Sequence, residues 1–427
     1  MSVFFDRPAT GTRALLVNVV QDDETEQELN ELAVSAGLLP VSRVRAPRRV
    51  PDPRTYVGGG KLDEIAGLVR DCDAGIVLFD VELTPTQERS LEASLENRVL
   101  GRTGLILEIF ARRARTHEGH LQVELAQMRH LYSRLVRGWT HLDRQRGGSG
   151  RLGGGSMGVA GAGETQLEAD QRMVRTRISK INSRLDRVRS QRQQSRRSRS
   201  RANVSTISLV GYTNAGKSTL FNSVCESDVH AADQLFATLD PTFRKLQLPV
   251  IGEAILADTV GFIRRLPHDL VDAFRATLEE VCQADLLLHV VDVSYPDYQQ
   301  RIQEVDEVLS SIGAGQVPQL LIFNKIDVVA HGARIDRNPT GLPGRVWLSA
   351  QTGDGVPALL EALSERLGQG VVEGAVWLMP HQGNLRAALY DVGEVLSEQI
   401  GEDGSIILQV RIEQYRLDRL SLSLSQP

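Results

Sequence analysis

The stretch ISLVGYTNAGKST (207–219) decides the fold at the centre of this chain. Its apolar start has the length of a buried strand, and Gly211 is followed after four residues by Gly216, Lys217 and Ser218. Glycines let the chain turn tightly, so that backbone N–H groups approach a polyphosphate without interference from Cβ atoms. Lys217 then supplies charge to the β- and γ-phosphates, and Ser218 a hydroxyl to Mg²⁺. We predict a phosphate-binding loop; the competing interpretation is an ordinary turn with a helix cap.

Two motifs after the loop supply groups for a γ-phosphate and its metal ion. FATLD (236–240) offers Thr238, which can close over Mg²⁺ when a γ-phosphate is present, with Thr242 as the second candidate. DTVG (258–261) follows an apolar run and offers a carboxylate and then Gly261, whose backbone N–H can contact the γ-phosphate. Segments that respond to the γ-phosphate are typical of a nucleotide-dependent switch.

The next two motifs address the base. NKID (324–327) follows the apolar run QLLIF, and the carboxylate of Asp327 can accept hydrogen bonds from guanine N1–H and the exocyclic amine. Adenine has no donor at either place, and leaving Asp327 without a partner would cost about 1–3 kcal/mol or more. SAQ (349–351) resembles the final guanine-contacting loop. Five motifs in this order predict a site for GTP and GDP with Mg²⁺.

The predicted nucleotide-binding residues are those of the five motifs: Gly211, Tyr212, Thr213, Asn214, Ala215, Gly216, Lys217, Ser218, Phe236, Ala237, Thr238, Leu239, Asp240, Asp258, Thr259, Val260, Gly261, Asn324, Lys325, Ile326, Asp327, Ser349, Ala350 and Gln351. We predict catalytic roles for four of them: Lys217, Thr238, Gly261 and Asn214. The predicted Mg²⁺ ligands are Ser218 and Thr238.

Two residues bear on the rate of hydrolysis. Many GTPases have a glutamine after DxxG that orients the attacking water; here that position is Phe262, which cannot hydrogen-bond to water. We therefore expect slow intrinsic hydrolysis that a partner accelerates. Asn214 resembles an asparagine that in some GTPases coordinates K⁺ beside the phosphates. The competing interpretation is a loop asparagine that bonds its own backbone.

Length and composition set further limits. A chain of 427 residues is too long for one hydrophobic core, and a net charge of −5 leaves nucleic-acid contacts to local basic patches. Cys72, Cys225 and Cys282 have no metal-ligand spacing and fit a reducing cytosol. The N-terminus lacks an apolar leader, and no apolar run is long enough to cross a bilayer. We expect a cytoplasmic monomer without a membrane span.

The fold class that these patterns predict is α/β, in four domains. These are an N-terminal α/β subdomain (1–110), a long antiparallel helical hairpin with a glycine-rich tip (111–201), a P-loop GTPase domain (202–370) and a small α+β domain (371–427).

The patterns within the N-terminal subdomain alternate between strand and helix. We predict strands at 14–20 and 76–81 and helices at 23–36 and 85–96. VGGGK (57–61) superficially resembles a phosphate loop, but its spacing is wrong and no Ser or Thr follows the lysine. It predicts a turn before a helix.

Two basic, amphipathic segments predict the hairpin. One long helix is expected from 103 to 142 and a second from 164 to 201. Their apolar residues recur at helical spacing, at Leu121, Leu125, Met128, Leu131 and Leu135 in the first and at Leu167, Met173 or Val174, Ile178, Ile181, Leu185 and Val188 in the second. Matching stripes on two helices predict antiparallel packing.

The tip and end of this hairpin carry the basic residues. The loop 147–163 is glycine-rich and flanked by Arg144, Arg146 and Arg151, which we predict to contact RNA phosphates; the competing interpretation is a solvated linker. The segment 187–201 is rich in arginine and has no acidic residue, so a phosphate backbone would relieve its self-repulsion.

The C-terminal domain gives weaker signals. A helix is predicted over 385–400, an acidic turn with Gly401 and Gly404 follows, and a strand is predicted over 406–412.

Five stretches together resemble the HflX family of ribosome-associated bacterial GTPases. They are TGLILEIFARRARTHEGHLQVELAQMRHLYSRLVRGWTHL (103–142), GAGETQLEAD (161–170), LVGYTNAGKSTLFN (209–222), LFATLDPT (235–242) and LADTVGFIRRLPHDLV (256–271). The resemblance implies a GTPase that binds the large (50S) ribosomal subunit and its rRNA, splits stalled or idle ribosomes, especially under heat stress, and acts in subunit biogenesis. It also implies that the glycine-rich loop reaches the peptidyl-transferase region.

Two alternatives stay open at this point. One is an RNA-binding ribosome assembly factor that uses GTP mainly as a structural ligand. The other, an ATP-driven RNA remodelling enzyme, is disfavoured by Asp327, which has no hydrogen-bond donor to meet on adenine.

Overall fold

The computed structural model describes residues 8–20, 22–48, 50–137, 166–201, 204–225, 235–236, 238–249, 252–264, 280–368, 371–380, 382–401, 404–413, 417 and 420. The described chain forms two compact units. The first unit contains the described residues up to Arg187 together with 235, 236, 238 and 239. The second unit contains the described residues from 188 to 225, from 240 to 264 and from 280 onward.

The first unit is built on a parallel sheet in the order β2-β1-β3-β4. Its strands are β1 (Arg13–Asn18), β2 (Leu39–Arg45), β3 (Ile76–Phe79) and β4 (Arg98–Leu100). The helices between them are α1 (Asp23–Ser35), α2 (Gly59–Asp71) and α3 (Pro85–Leu95). The predicted strands and helices are all present. VGGGK leads into a helix as predicted, but only Val57 and Gly58 precede it: Gly58 is the N-cap of α2, and Gly59, Gly60 and Lys61 form its first turn. β2 was not predicted because it is an edge strand of exposed and partly buried residues, with Val44 alone buried and no clear apolar alternation.

The single helix predicted over 103–142 is wrong. The structure has α4 (Arg102–Arg113) and α5 (His117–Arg137) in its place. Ala114 leaves the helical region with a ψ of 121°. Thr116 then starts the next helix, because its side-chain oxygen accepts a hydrogen bond of 2.9 Å from the backbone N–H of Gly119. Nine of the 12 residues of α4 are buried, so α4 belongs to the core of the first unit.

The predicted hairpin packing is confirmed for α5 and the next described helix, α6 (Gln166–Arg201). The two apolar stripes form one cluster, with Leu121, Leu125, Met128, Val174, Ile181 and Leu185 buried. Val174 belongs to the stripe, whereas Met173 is 52% exposed. None of the described helices, these long ones included, is apolar enough over a sufficient length to cross a membrane.

The second unit contains a seven-stranded sheet in the order β10-β11-β9-β8-β5-β7-β6. Its strands are β5 (Ser205–Gly211), β6 (Thr242–Leu248), β7 (Gly252–Asp258), β8 (Leu286–Asp292), β9 (Gln319–Asn324), β10 (Arg334–Arg337) and β11 (Pro343–Trp347). Its helices are α7 (Lys217–Cys225), α8 (Tyr298–Ser311), α9 (Ile326–Val329) and α10 (Val356–Gly368). Strands β5, β7, β8, β9 and β11 are parallel, and β6 and β10 add antiparallel edges.

The C-terminal part is α+β, as predicted, but its details differ. It contains β12 (Val371–Leu378), α11 (Gly383–Val392), β13 (Glu394–Ile400) and β14 (Ile406–Glu413), with strand order β12-β14-β13. The helix predicted over 385–400 is wrong in its second half, because Gly393 leaves the helix with an extended backbone and β13 pairs with β14. A Cβ at Gly393 would lie 3.2 Å from the Cβ of Ile412, so this turn favours glycine.

The helix pair offers a matched test of packing. We expect Leu125→Ala to destabilise the first unit by about 2–5 kcal/mol, because it removes buried methyl groups and leaves a cavity. Met173→Ala, on the exposed side of α6, should change stability by about 0.5 kcal/mol or less. Thermal unfolding and hydrogen exchange of the α5 amides provide the measurement. Equal effects of the two substitutions would contradict the packing described here.

Candidate nucleotide-binding site

Four of the five predicted motifs meet at one edge of the second unit's sheet. The phosphate loop follows β5, DTVG begins with the last residue of β7, NKID begins with the last residue of β9, and SAQ lies two residues after β11. In an open parallel sheet, ligands bind at the carboxyl ends of the strands. The order β11-β9-β8-β5-β7 therefore brings four of the five motifs to the same edge.

Glycine is required at two positions of the phosphate loop. Gly211 has φ of +138°, and a Cβ there would lie 2.2 Å from the carbonyl oxygen of Val290. Gly216 has φ of +92°, and a Cβ there would lie 2.2 Å from Nδ2 of Asn324. Backbone torsion and close approach both exclude larger residues, as the loop motif predicts.

Lys217 begins α7 and is buried, with 7% of its surface exposed. Its ammonium donates hydrogen bonds to the carbonyl oxygens of Gly211 (3.0 Å) and Tyr212 (2.6 Å). Burial lowers the pKa of Lys217 to about 8, and the nearby carboxylate of Asp258 opposes the shift. A phosphate at this place would supply the negative charge that the buried ammonium needs.

The predicted metal ligand Ser218 faces an acidic partner. Its hydroxyl donates a 2.8 Å hydrogen bond to Oδ2 of Asp258, which is 1% exposed. Gly261 is close by, because a Cβ there would lie 2.8 Å from the ammonium of Lys217. A hydroxyl and a carboxylate are oxygen donors of the kind that Mg²⁺ prefers, so these residues fit the ion.

The side chain of Asn324, the first residue of NKID, hydrogen-bonds to the phosphate loop and to SAQ. Its Nδ2 donates to the carbonyl oxygen of Ala215 (2.8 Å), and its Oδ1 accepts from the backbone N–H of Ala350 (2.9 Å). The side chain is 2% exposed. Asn324 thus fixes the phosphate loop and the SAQ loop relative to β9, a structural role that the motif alone did not reveal.

The other two polar residues of NKID differ in their surroundings. Asp327 is exposed, so its carboxylate is accessible to a bound base. Lys325 has φ of +68°, and its ammonium lies 2.6 Å from a carboxylate oxygen of Asp292 at the end of β8. Sequence reasoning missed Asp292, although its position directly after the apolar run LLLHVV was a usable signal.

Phe262 is attached to the phosphate loop through its backbone. Its N–H donates to the carbonyl oxygen of Gly211 (3.1 Å), and its carbonyl oxygen accepts from the N–H of Thr213 (2.7 Å). The Phe262 side chain is only 3% exposed. Tyr212 was predicted to bind nucleotide, and its hydroxyl here donates to the carboxylate of Glu304 on α8, which sequence reasoning did not single out.

The remaining predicted residues are distributed as follows. Asn214 is exposed in the left-handed conformation (φ +61°), and Gln351 is exposed beside buried Ser349 and Ala350. Asp240 lies in the second unit, whereas Phe236, Thr238 and Leu239 lie in the first. Ala237, Arg144, Arg146, Arg151 and the glycine-rich loop are outside the described residues.

A phosphate loop at the centre of this sheet, with DTVG, NKID and SAQ at the ends of neighbouring strands, defines a P-loop GTPase. The family models that match the chain agree: "GTP-binding GTPase N-terminal" at 23–111, "GTP-binding GTPase Middle Region" at 113–199, "50S ribosome-binding GTPase" at 206–325 and "HflX C-terminal domain" at 338–426. The chain belongs to the HflX family of GTPases.

Two bacterial relatives support this assignment over nearly their whole length. GTPase HflX of Escherichia coli is 54% identical, covering 96% of this chain and 95% of the relative. GTPase HflX of Caldanaerobacter subterraneus is 43% identical, covering 92% and 89% respectively. Among solved structures, the crystal structure of the SsGBP and GDP complex aligns with a TM-score of 0.49 at 25% identity, covering 84% of this chain and 99% of that one.

The lowered pKa of Lys217 predicts a pH-dependent affinity. Below about pH 8 the ammonium is charged, and it loses its proton as pH rises through that value. Because a bound phosphate favours the charged form, GDP binding should take up a proton above pH 8, and its Kd should rise by up to about tenfold per pH unit.

Calorimetry in two buffers of different ionisation enthalpy measures this uptake. Lys217→Arg keeps its charge throughout, so any uptake that this variant shows comes from the nucleotide. A wild-type Kd that stays constant while pH rises from about 7 to about 9 would contradict the assignment.

Proposed function

We propose that the chain hydrolyses GTP in a cycle coupled to binding of the large (50S) ribosomal subunit, and that this cycle dissociates stalled or idle ribosomes in translation, heat-stress recovery or ribosome biogenesis. The observation that carries the nucleotide part is the edge organised by Asn324, where the phosphate loop and the base-reading loops are held together by one buried side chain. Asp327, exposed beside them, gives the preference for guanine.

The proposed roles follow from the motifs. Lys217 would hold the β- and γ-phosphates, and the backbone N–H of Gly261 would contact the γ-phosphate. Ser218 and Thr238 would ligate Mg²⁺, which would neutralise phosphate charge as it builds up during transfer. The 2.8 Å bond between Ser218 and Asp258 supports this choice, because it keeps the hydroxyl next to a buried carboxylate.

Slow intrinsic hydrolysis is the expected consequence of Phe262. Its ring carries no hydrogen-bonding group and is buried, and its backbone is bonded to the phosphate loop. A partner must then supply or arrange the groups that orient water. The matching family model, described as "50S ribosome-binding GTPase", supports the large subunit as that partner.

The first test compares GTPase rates with and without purified large subunits. We expect turnover of the chain alone to be slow and large subunits to raise it by about tenfold or more, since positioned charge and water are worth that much in phosphoryl transfer. Lys217→Ala is the control, because it should remove both rates. A chain that shows no stimulation by large subunits would instead favour the RNA-binding assembly factor that holds GTP as a structural ligand.

A K⁺ ion beside Asn214 is proposed as a source of positive charge at the phosphates. Asn214 is an exposed residue of the phosphate loop, so it is accessible to a ligand. We expect faster hydrolysis in K⁺ than in Na⁺ for the wild type, and equal rates in the two salts for Asn214→Ala. Steady-state phosphate release measures both, and equal wild-type rates would remove the K⁺ proposal.

The remaining proposals concern organisation. Sequence patterns support three of them: domain boundaries at 110, 201 and 370, a monomeric state and a cytoplasmic location. The same patterns support a fourth, contacts of Arg144, Arg146 and Arg151 with RNA. Sedimentation with large subunits in the presence of a non-hydrolysable GTP analogue tests the RNA contacts, because replacing the three arginines should weaken co-sedimentation.

A further inference from the structure

Glu304, on α8 of the second unit, is a meeting point for side chains from two motif segments. Its carboxylate accepts a hydrogen bond from the hydroxyl of Tyr212, in the phosphate loop. Nε of Arg264, three residues after Gly261, lies 3.8 Å from Oε1 of the same carboxylate. The Glu304 side chain is 30% exposed and that of Arg264 is 24% exposed, so the ion pair is partly shielded from water. One side chain of α8 therefore contacts both the phosphate loop and the chain that follows DTVG.

A second residue of α8 holds the ring of Tyr212. The guanidinium carbon of Arg301 lies 5.2 Å from the centroid of the Tyr212 ring and 3.7 Å from that of Tyr295. Arg301 and Glu304 are three positions apart on the helix and so lie on the same face. Tyr212 is 9% exposed. Because α8 contacts both the ring and its hydroxyl, the tyrosine is restricted to one orientation.

The backbone at Tyr212 supports the buried ammonium of Lys217. The carbonyl oxygen of Tyr212 accepts a 2.6 Å hydrogen bond from that ammonium. The backbone of Phe262, which directly follows DTVG, hydrogen-bonds to the loop residues on either side of Tyr212. The phosphate loop and the DTVG segment are thus joined through their backbones at the place where Glu304 joins them through side chains.

We propose that Glu304 is a positioning residue for GTP hydrolysis, which acts on the phosphate loop through Tyr212 and on the DTVG segment through Arg264. This inference rests on the proposed phosphate contacts of Lys217 and Gly261. The phosphate loop meets both GDP and GTP, so the hydrogen bond to Tyr212 should matter for either nucleotide. GDP has no γ-phosphate, so the charge of Glu304 beside Arg264 should matter only with GTP.

Two substitutions of Glu304 separate these effects. Glu304→Ala removes the acceptor for Tyr212, and the affinity for GDP should fall by between about threefold and about tenfold, the range expected for one hydrogen bond. Glu304→Gln keeps an acceptor but no charge, so its GDP affinity should stay within about twofold of the wild type. Its single-turnover rate of GTP hydrolysis at saturating protein should nevertheless fall about twofold to fivefold, as expected for loss of a partly exposed ion pair.

A glutamate on the same helix provides the matched control. Glu307 is exposed on α8, so Glu307→Gln should leave both GDP affinity and hydrolysis rate at the wild-type values. Tyr212→Phe removes only the hydroxyl, and in this background Glu304→Ala should have no further effect on GDP affinity. Thermal unfolding shows whether each variant is folded.

Lys217→Ala separates the proposed function from this inference. If Lys217→Ala leaves GDP affinity unchanged, the phosphate assignment fails and the inference fails with it. If Lys217→Ala weakens GDP binding but Glu304→Ala does not, the assignment stands and the positioning inference is overturned. GDP binding by Glu304→Gln as weak as by Glu304→Ala, or hydrolysis by Glu304→Gln at the wild-type rate, would also overturn it. So would additive effects of Tyr212→Phe and Glu304→Ala, or equal effects of Glu307→Gln.

Discussion

The side-chain amide of Asn324 is the interaction on which the nucleotide site depends. One buried group donates to the phosphate loop and accepts from the SAQ loop, so three chain segments share a single fixed point. An amide has both a donor and an acceptor at fixed geometry, which neither aspartate nor an apolar residue offers. The same closeness explains Gly216, where any Cβ would collide with Nδ2 of Asn324. Two motifs that look independent in the sequence therefore constrain each other.

Electrostatics gives this edge its preference for anions. The ammonium of Lys217 is buried against backbone carbonyl oxygens. Its pKa is lowered because these oxygens stabilise the charged form less well than water does. A polyphosphate satisfies the buried charge better than carbonyl dipoles do, so binding relieves a cost already present in the folded chain. The carboxylate of Asp258 partly offsets this cost, because it stabilises the charged form of Lys217. It also accepts a hydrogen bond from the hydroxyl of Ser218.

Local patterns predicted most of the fold and the motif positions. Strands with apolar runs, such as β5 and β8, and the turn before α2 follow from short stretches of sequence. The break at Ala114 was missed because the helical periodicity continues across it, and only the cap at Thr116 reveals the new start. The helix predicted over 385–400 is wrong in its second half, because those residues pair with β14 as a strand although their pattern is compatible with a helix.

Contacts between distant parts of the chain were beyond prediction. The sequence placed Asn324 in a base-reading motif but gave no sign of its bonds to Ala215 and Ala350. Nor did it indicate that Phe236, inside a nucleotide motif, packs on Phe110 of the first unit. Such pairings depend on which buried surfaces meet in three dimensions, and a single sequence contains no periodic signal for them.

Calorimetric titration of the full chain and of Asn324→Ala with GDP and Mg²⁺ tests the central claim most directly. The wild type should bind one GDP per chain, and the variant should bind about tenfold or more weakly, because two buried hydrogen bonds that hold the loops are lost. Absence of binding heat in the wild type, or equal affinity of the two proteins, would contradict a guanine-nucleotide site organised by this amide.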